Sequence, residues 1–404
     1  MQCAWSRQRI HKTAGDKFVT VLLGNATTGY GHAGCAEKSK LPNQMRFENV
    51  YIESFGYVLP GEVWTTSEVE QRLAPLYDRL KLPEGRLELM TGIRERRFWN
   101  PGVMPGELSV ESCRMALAAS GRDPGEIGCL IHGSVCRDFL EPATACSVHH
   151  RVGLPEDCFI YDVSNACLGI LSGMAQVANM IELGQIRAGL VVGSEGGRQL
   201  VETTIRTLNA DESLTRKSIK NAIASLTIGS ASCAVLLVHR ELSESGSRFL
   251  GGAVRANTVH HELCQSHEDQ VGSAMQPLMQ TDSEALMKAG VATGVSTLGP
   301  FLEAVGWQKE DVDRTVCHQV GTAHQKLMLE SLGFDPAIDF ATFDWLGNTG
   351  SAALPSALAL ACEKEFVLPG HKVGLLGIGS GINCTMFGVE WGQTAVKGKI
   401  HGDD

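Results

Sequence analysis

One arrangement of elements occurs twice in this chain, and it limits the fold more than any other feature. A helical stretch at 110–120 leads into Gly121-Arg-Asp-Pro-Gly-Glu-Ile and then the strand-like run Gly128-Cys-Leu-Ile-His132. A later helical stretch ending at Val305 leads into Gly306-Trp-Gln-Lys-Glu-Asp-Val and then Arg314-Thr-Val-Cys-His318. The order continues beyond these points. Asn165-Ala-Cys167 opens a helix that returns through Leu190-Val-Val-Gly193, and Asn348-Thr-Gly350 opens one that returns through Leu375-Leu-Gly377, at intervals equal to within one residue. Helix–strand alternation is common in α/β chains, but matched order and spacing across four elements indicate duplication. Two halves, 45–240 and 241–393, fit the pattern. If a pseudo-twofold axis relates them, equivalent loops face each other, and sites in α/β sheets lie beyond the strand carboxyl ends. The loops around His132, Cys167 and Gly193 are therefore expected to meet those around His318, Asn348 and Gly377.

Composition narrows the class. With 404 residues, 43% hydrophobic and 20% charged, the chain is an ordinary globular α/β protein. No apolar run approaches the roughly 20 residues that span a bilayer. A formal charge of −10 argues against a nucleic-acid partner. The 13 cysteines are odd in number, and Cys129, Cys158, Cys233, Cys317 and Cys384 sit in apolar runs. That usage suits reduced thiols in a cytoplasmic enzyme. His260, His261, Cys264 and His267 could be drawn as a metal site, but no second ligand pair accompanies them, so no metal is expected. Residues 1–44 are polar, carry Arg7, Arg9, Lys12 and Lys17, and lack the apolar core of a secretory signal. They read as a disordered extension, and 394–404 as a tail.

The segment 158–163 reads as a buried strand that breaks at Ser164-Asn165. Small and apolar residues then continue at helical spacing through Met180. Cys167 thus falls in the first turn of a buried helix, where unpaired N–H groups and the helix dipole favour a thiolate. Taken alone, it reads equally as one more small core residue. The repeat supplies what a nucleophile needs: a base or cation, and donors for the oxyanion formed on a carbonyl. His318 ends a strand on the facing side. Asn348, in Trp345-Leu-Gly-Asn-Thr-Gly-Ser, can donate its amide to a carbonyl or enolate oxygen, or merely cap a helix. Gly377-Ile-Gly-Ser-Gly-Ile-Asn lacks a dinucleotide fingerprint. Its expected role is to lend the Ser380 N–H, paired with that of Cys167, as an oxyanion hole.

Asn165-Ala-Cys167, Cys317-His318-Gln319, Gly347-Asn348-Thr349 and the 377–381 loop resemble the Cys-His-Asn signature of the thiolase superfamily, in its 3-oxoacyl-ACP synthase III branch. Thr91-Gly-Ile-Arg-Glu-Arg-Arg97 resembles another stretch of that branch, and the resemblance covers nearly all of 45–393. It implies an α/β fold of two duplicated halves in five αβαβα layers, a homodimer, and Claisen condensation of acyl thioesters. Cys167 would take an acyl group from CoA or acyl carrier protein, and His318 and Asn348 would stabilise the enolate of the second thioester. The resemblance implies no cofactor beyond CoA or phosphopantetheine thioesters as substrates.

Ser134-Val-Cys-Arg-Asp-Phe-Leu-Glu141-Pro-Ala-Thr-Ala is similar to the members that join two long acyl chains head to head in olefin biosynthesis. This implies that Glu141 acts as a base reaching into the neighbouring subunit's site. Malonyl donors make their own carbanion by decarboxylation, whereas two plain acyl thioesters need a base; a buried carboxylate with a raised pKa would serve. From the residues alone, Glu141 reads as a loop carboxylate capping or pairing with Arg137. Arg94, Arg96 and Arg97 would receive CoA phosphates or an acidic carrier face, or form a salt-bridged turn with Glu88 and Glu95. Segments 278–301 and 352–362 would line an acyl channel or fill the core. Head-to-head condensation leads, ahead of priming with malonyl-ACP. A non-catalytic acyl-binding scaffold and a simple Cys–His hydrolase are the other classes.

Overall fold

The computed structural model describes residues 44–267 and 278–402; apart from Gln44, the expected N-terminal extension lies outside them. In the first half, strands run in the order Phe159–Asp162, Cys129–His132, Ala188–Glu195, Ala231–His239, Val50–Leu59. In the second they run Arg314–Cys317, Lys372–Gly379, Asn383–Glu390, Arg248–Ala256. Parallel pairing joins Cys129–His132 to Ala188–Glu195 and Arg314–Cys317 to Lys372–Gly379; the following pairs are antiparallel in both halves. A parallel bridge from Thr315 to Asp339 occupies the place that Phe159–Asp162 fills in the first half. The two sets meet through one residue pair, Tyr51 with Arg248.

Strand alternation fixes the layers, because neighbouring residues point to opposite faces. Val191 and Val235 face one apolar cluster, while Leu190, Val192 and Leu236 face another. Leu375 and Leu376 divide in the same way. The shared cluster holds helices Gly169–Glu182 and Ala353–Glu363 between the two sets of strands. Helices Pro105–Ser120 and Thr144–Val152 cover the outer face of the first half, and Ser283–Val305 and Thr322–Leu332 that of the second. The result is α–β–α–β–α. Near-continuous apolar strands such as Ala188–Glu195 follow from burial on both faces. Residues 353–361 of the second central helix are all buried, and Leu354 and 357–361 belong to the shared cluster, so this segment fills core rather than lining a channel. Each fully enclosed leucine or isoleucine there contributes about 1.5–3 kcal/mol.

Two elements differ from expectation. Phe159–Asp162 is an edge strand with a partner on one side only, which leaves Phe159 57% exposed. The expected tail opens with a strand: Ala395–Ile400 pairs in parallel with Val50–Leu59 and satisfies backbone groups of a strand that would otherwise lie open.

Candidate active site

The chain leaves Phe159–Asp162 and turns sharply into helix Gly169–Glu182. Ala166 takes a left-handed φ of 45°, and one 3-10 turn, Ala166–Leu168, carries Cys167. Such a conformation in a residue with a Cβ costs of order 1–3 kcal/mol and persists only where packing holds it. Here it is held from three sides. The Leu168 N–H donates to Asn165 O (2.9 Å), and Asn165 donates to Ser172 Oγ (2.9 Å) and accepts from Asn383 Nδ2 (3.1 Å). Gly133 and Gly169 press backbone to backbone. Leu168 lies against Gly377 and Gly379, close enough that a Cβ on Gly377 would come within 2.7 Å of it. A Cβ on Gly379 would sit 3.7 Å from the Cys167 nitrogen, so the strand leading to Ser380 passes directly beside the Cys167 turn.

Cys167 is not a resting thiolate. Burial pushes its thiol up to about 12, helped by the charge of Glu195 and by Cys264. The helix terminus was expected to lower it, but desolvation of the charged form outweighs those donors.

His318 follows strand Arg314–Cys317, with its N–H on Leu376 O (3.0 Å). The residue is 5% exposed and its Nδ1 has no partner. Burial, with His324 beside it, holds the imidazole down to about 3, so it is neutral at physiological pH. Gln319 ties this strand end to the approach to Asn348. Its amide nitrogen donates to Cys317 O (2.6 Å), and its oxygen accepts from Thr342 N (2.7 Å).

Asn348 is clamped between Thr227 and Gly229, its N–H on Thr227 O and its carbonyl accepting from Gly229 N, both 2.9 Å. The side-chain oxygen accepts from Gly350 N (3.0 Å), which leaves the amide nitrogen as the side chain's donor. The Gly350–Ala352 turn beyond it packs against the Cys167 turn. The loops carrying Cys167, His318, Asn348 and Ser380 therefore converge.

Glu141 does not join them within this chain. It is exposed, beside exposed Phe139 and Leu140, and among the described residues it makes no ion pair with Arg137. The sequence reading places this residue in the neighbouring subunit's site, and in the single chain its loop carries three exposed residues in a row, Phe139, Leu140 and Glu141. The arginines also separate. Strand Glu95–Phe98 sends alternate residues to opposite faces, so Arg96 is enclosed, donating to Thr66 Oγ1 (2.9 Å) and Leu226 O (3.1 Å), with burial lowering its guanidinium to about 10. Arg97 donates to Pro60 O and lies over Trp345. Only Arg94 is largely exposed, in an ion pair with Asp344 (2.6 Å) rather than with Glu88 or Glu95. The three do not form one anion site.

Sequence reasoning missed two residues. His324, in the first turn of Thr322–Leu332, is buried with an unpartnered Nδ1 and is held down to about 4 by burial. Glu195 ends strand Ala188–Glu195, buried, and the repeat would have flagged it: it stands two residues past Gly193, as Gly379 stands two past Gly377. Among the described residues no His, Cys, Asp or Glu group could hold a metal, and no helix is long and apolar enough to cross a membrane.

Layers, duplicated strand order and a cysteine on a strand-to-helix turn define a thiolase-fold condensing enzyme. Family descriptions agree: "Thiolase, N-terminal domain" matches residues 89–225, and "3-Oxoacyl-[acyl-carrier-protein (ACP)] synthase III C terminal" matches 302–391. An acyl-CoA:acyl-CoA alkyltransferase of Shewanella oneidensis is 41% identical over 351 residues, covering 86% of this chain and 100% of that protein. One from Xanthomonas campestris is 34% identical over 347 residues, with shares of 86% and 100%. The structure of a cysteine-to-serine variant of Xanthomonas campestris OleA with bound lauric acid and lauroyl-CoA superposes with a TM-score of 0.80 at 33% identity, covering 85% of this chain and 100% of that one. The chain belongs to the acyl-CoA:acyl-CoA alkyltransferase family, the OleA branch of the thiolase superfamily.

Proposed function

We propose that this enzyme joins two acyl-CoA molecules head to head. The Cys167 thiol attacks the first thioester, the oxyanion is held by the N–H groups of Cys167 and Ser380, and the thiol proton leaves with CoA. Glu141, supplied by the neighbouring subunit of a homodimer, takes a proton from the α-carbon of the second acyl-CoA. Neutral His318 and the amide nitrogen of Asn348 donate to the enolate oxygen. The carbanion attacks the acyl-cysteine carbonyl, forming a carbon–carbon bond and breaking the carbon–sulfur bond. The proton held by Glu141 returns to the Cys167 thiolate. Products are a β-ketoacyl-CoA and free CoA, with no cofactor consumed, in the cytoplasm.

The observation that carries this reading is identity along the whole length of relatives named for acyl-CoA on both sides of the reaction. A neutral, buried His318 supports it, since a neutral imidazole can donate to an enolate. Arg94 remains as a contact for the CoA phosphates at the mouth.

The test is incubation with a long-chain acyl-CoA alone, and separately with acyl-CoA plus malonyl-ACP, followed by mass spectrometry. The expected result is a β-ketoacyl product from acyl-CoA alone. Product only with malonyl-ACP would overturn the head-to-head reading, and free acid without a carbon–carbon bond would make the protein a hydrolase.

A further inference from the structure

The geometry points to Glu195 as a positioning residue that locks the loop bearing Glu141 to the loop bearing Asn348 across the wall of the Cys167 pocket; this rests on the condensation proposed above. Glu195 is 5% exposed, yet its carboxylate is saturated with donors from two distant parts of the chain. One oxygen accepts from Val135 N (3.0 Å), Ser351 N (3.2 Å) and Ser351 Oγ (2.5 Å), and the other from Cys136 N (3.2 Å). Val135 and Cys136 begin the loop that ends at Glu141, and Ser351 lies three residues past Asn348. Gly350 leaves the room: a Cβ there would lie 3.1 Å from the Glu195 carboxyl carbon. The backbone oxygen of Glu195 also accepts from Trp99 Nε1 (2.8 Å), fixing the strand end that presents the side chain.

Four donors meet on this one enclosed carboxylate, two from each of the loops it joins, and hydrogen bonds to a carboxylate are stronger than those between neutral groups. The arrangement has a mechanical consequence. The lever that projects Glu141 outward and the arm that holds the Asn348 amide cannot move independently, because they grip the same carboxylate and share one of its oxygens. It has an electrostatic one as well. Glu195 and Cys264 are the charged or titratable groups acting on the Cys167 thiol, and Glu195 is the stronger, helping to keep Cys167 protonated until substrate arrives.

The experiment compares the wild type with Glu195→Gln, Glu195→Asp and Ser351→Ala through three readouts. The first is the burst of free CoA on acylation against steady-state condensation of acyl-CoA. The second is the pH profile of Cys167 alkylation by iodoacetamide. The third is hydrogen exchange at the Val135, Cys136 and Ser351 amides. Glutamine keeps the shape but sets its NH2 group against backbone donors. For Glu195→Gln, condensation is expected to lose about ten- to a hundredfold in kcat with KM little changed, and the burst to stay within about threefold. Alkylation should shift to lower pH, and exchange at all three amides should rise together. Glu195→Asp should keep the wild-type alkylation profile, and Ser351→Ala should show a smaller loss of the same pattern in a folded protein. Unchanged exchange with wild-type condensation in Glu195→Gln overturns the inference. A wild type that does not condense acyl-CoA overturns the proposed function instead, and the exchange and alkylation arms still judge Glu195.

Discussion

Replacing Gly133 with alanine strikes the nucleophile without touching its chemistry. A Cβ at Gly133 would lie 2.6 Å from both the carbonyl carbon and oxygen of Gly169, and 2.9 Å from the nitrogen of Ile170. All three are backbone atoms in the first turn of helix Gly169–Glu182, so no rotamer change relieves the clash. Ordinary carbon contacts begin near 3.5 Å, so the helix start must retreat by about 0.9 Å. Cys167 stands two residues earlier and moves with it. Leu168, Ile170 and Leu171 have no exposed surface to yield into. Overpacking of this kind costs about 1–3 kcal/mol, and a displacement near 1 Å at a reacting atom costs up to about a hundredfold in rate. The assay is the burst of CoA release after rapid mixing with acyl-CoA, with denaturant unfolding in parallel. Gly133→Ala should lower the burst rate by about ten- to a hundredfold and the unfolding free energy by about 1–3 kcal/mol. Wild-type burst and stability together would refute the idea that the Gly133–Gly169 contact sets the position of Cys167.

Glu141→Ala should still release a burst of CoA and retain the acyl group on Cys167, seen by intact-protein mass, but form no β-ketoacyl product; unchanged turnover would remove Glu141 from the reaction. Arg94→Ala, at an exposed ion pair, should leave stability nearly unchanged by denaturant unfolding. Arg96→Ala empties an enclosed site and removes the donors to Thr66 Oγ1 and the Leu226 carbonyl, and should cost about 2–4 kcal/mol by denaturant unfolding; a loss no larger than that of Arg94→Ala would refute the separation of their roles. His318 and His324 are held down to about 3 and 4 when folded, whereas an unfolded histidine titrates near 6.5. Below about 6.5 the unfolded chain takes up protons that the folded chain refuses. Their contribution is therefore complete above that pH and is lost as pH falls toward 4. His324→Gln should flatten the fall in unfolding free energy between pH 7 and pH 4.5, and an unaltered slope would show that His324 titrates normally in the folded protein.

What was legible in the sequence was what repeats or what packs. Order and spacing of the duplicated elements located Cys167, His318, Asn348 and the glycine loop, because loop positions at strand ends follow from topology. Side-chain direction was not legible where a strand was unrecognised. Glu95–Phe98 pairs with Glu62–Thr65, and that pairing, not the run of basic residues, sends Arg96 inward and Arg97 outward. The state of Cys167 was misjudged because a helix terminus is visible in sequence while desolvation depends on everything packed around the thiol. His324 escaped notice because nothing in Gly321-Thr-Ala-His324 announces that its first helical turn is roofed over. Glu141 shows the same limit from the other side: a motif names the residue, but which surface its loop faces is a tertiary matter.

The pseudo-twofold relation explains why the two halves need different residues at equivalent places. Cys167 and Gly350 occupy matching positions after Asn165 and Asn348, and Gly379 and Glu195 match at the ends of their strands. Each strand end meets the opposite turn: Gly379 the Cys167 turn, Glu195 the Gly350 turn. Where the turn carries the nucleophile, the strand end must be bare, because a side chain at Gly379 would crowd Leu168 and the Cys167 nitrogen that an oxyanion would seek. Where the turn carries glycine, the strand end can carry a carboxylate, and that carboxylate has been used to bind loops together. His132 and His318 divide in the same manner. His132, 1% exposed, sits 4.0 Å from Asp162, whose oxygens accept from Thr144 N and Ala145 N at the foot of the Glu141 loop. His318 has no carboxylate partner. Burial outweighs the Asp162 charge and holds the His132 imidazole down as well, so the two histidines differ in their neighbours rather than in charge, and His318 keeps an Nδ1 without a partner. Duplication thus built a symmetric frame, and exchange of glycine for glutamate and of a paired for an unpaired histidine broke the symmetry where the chemistry required it.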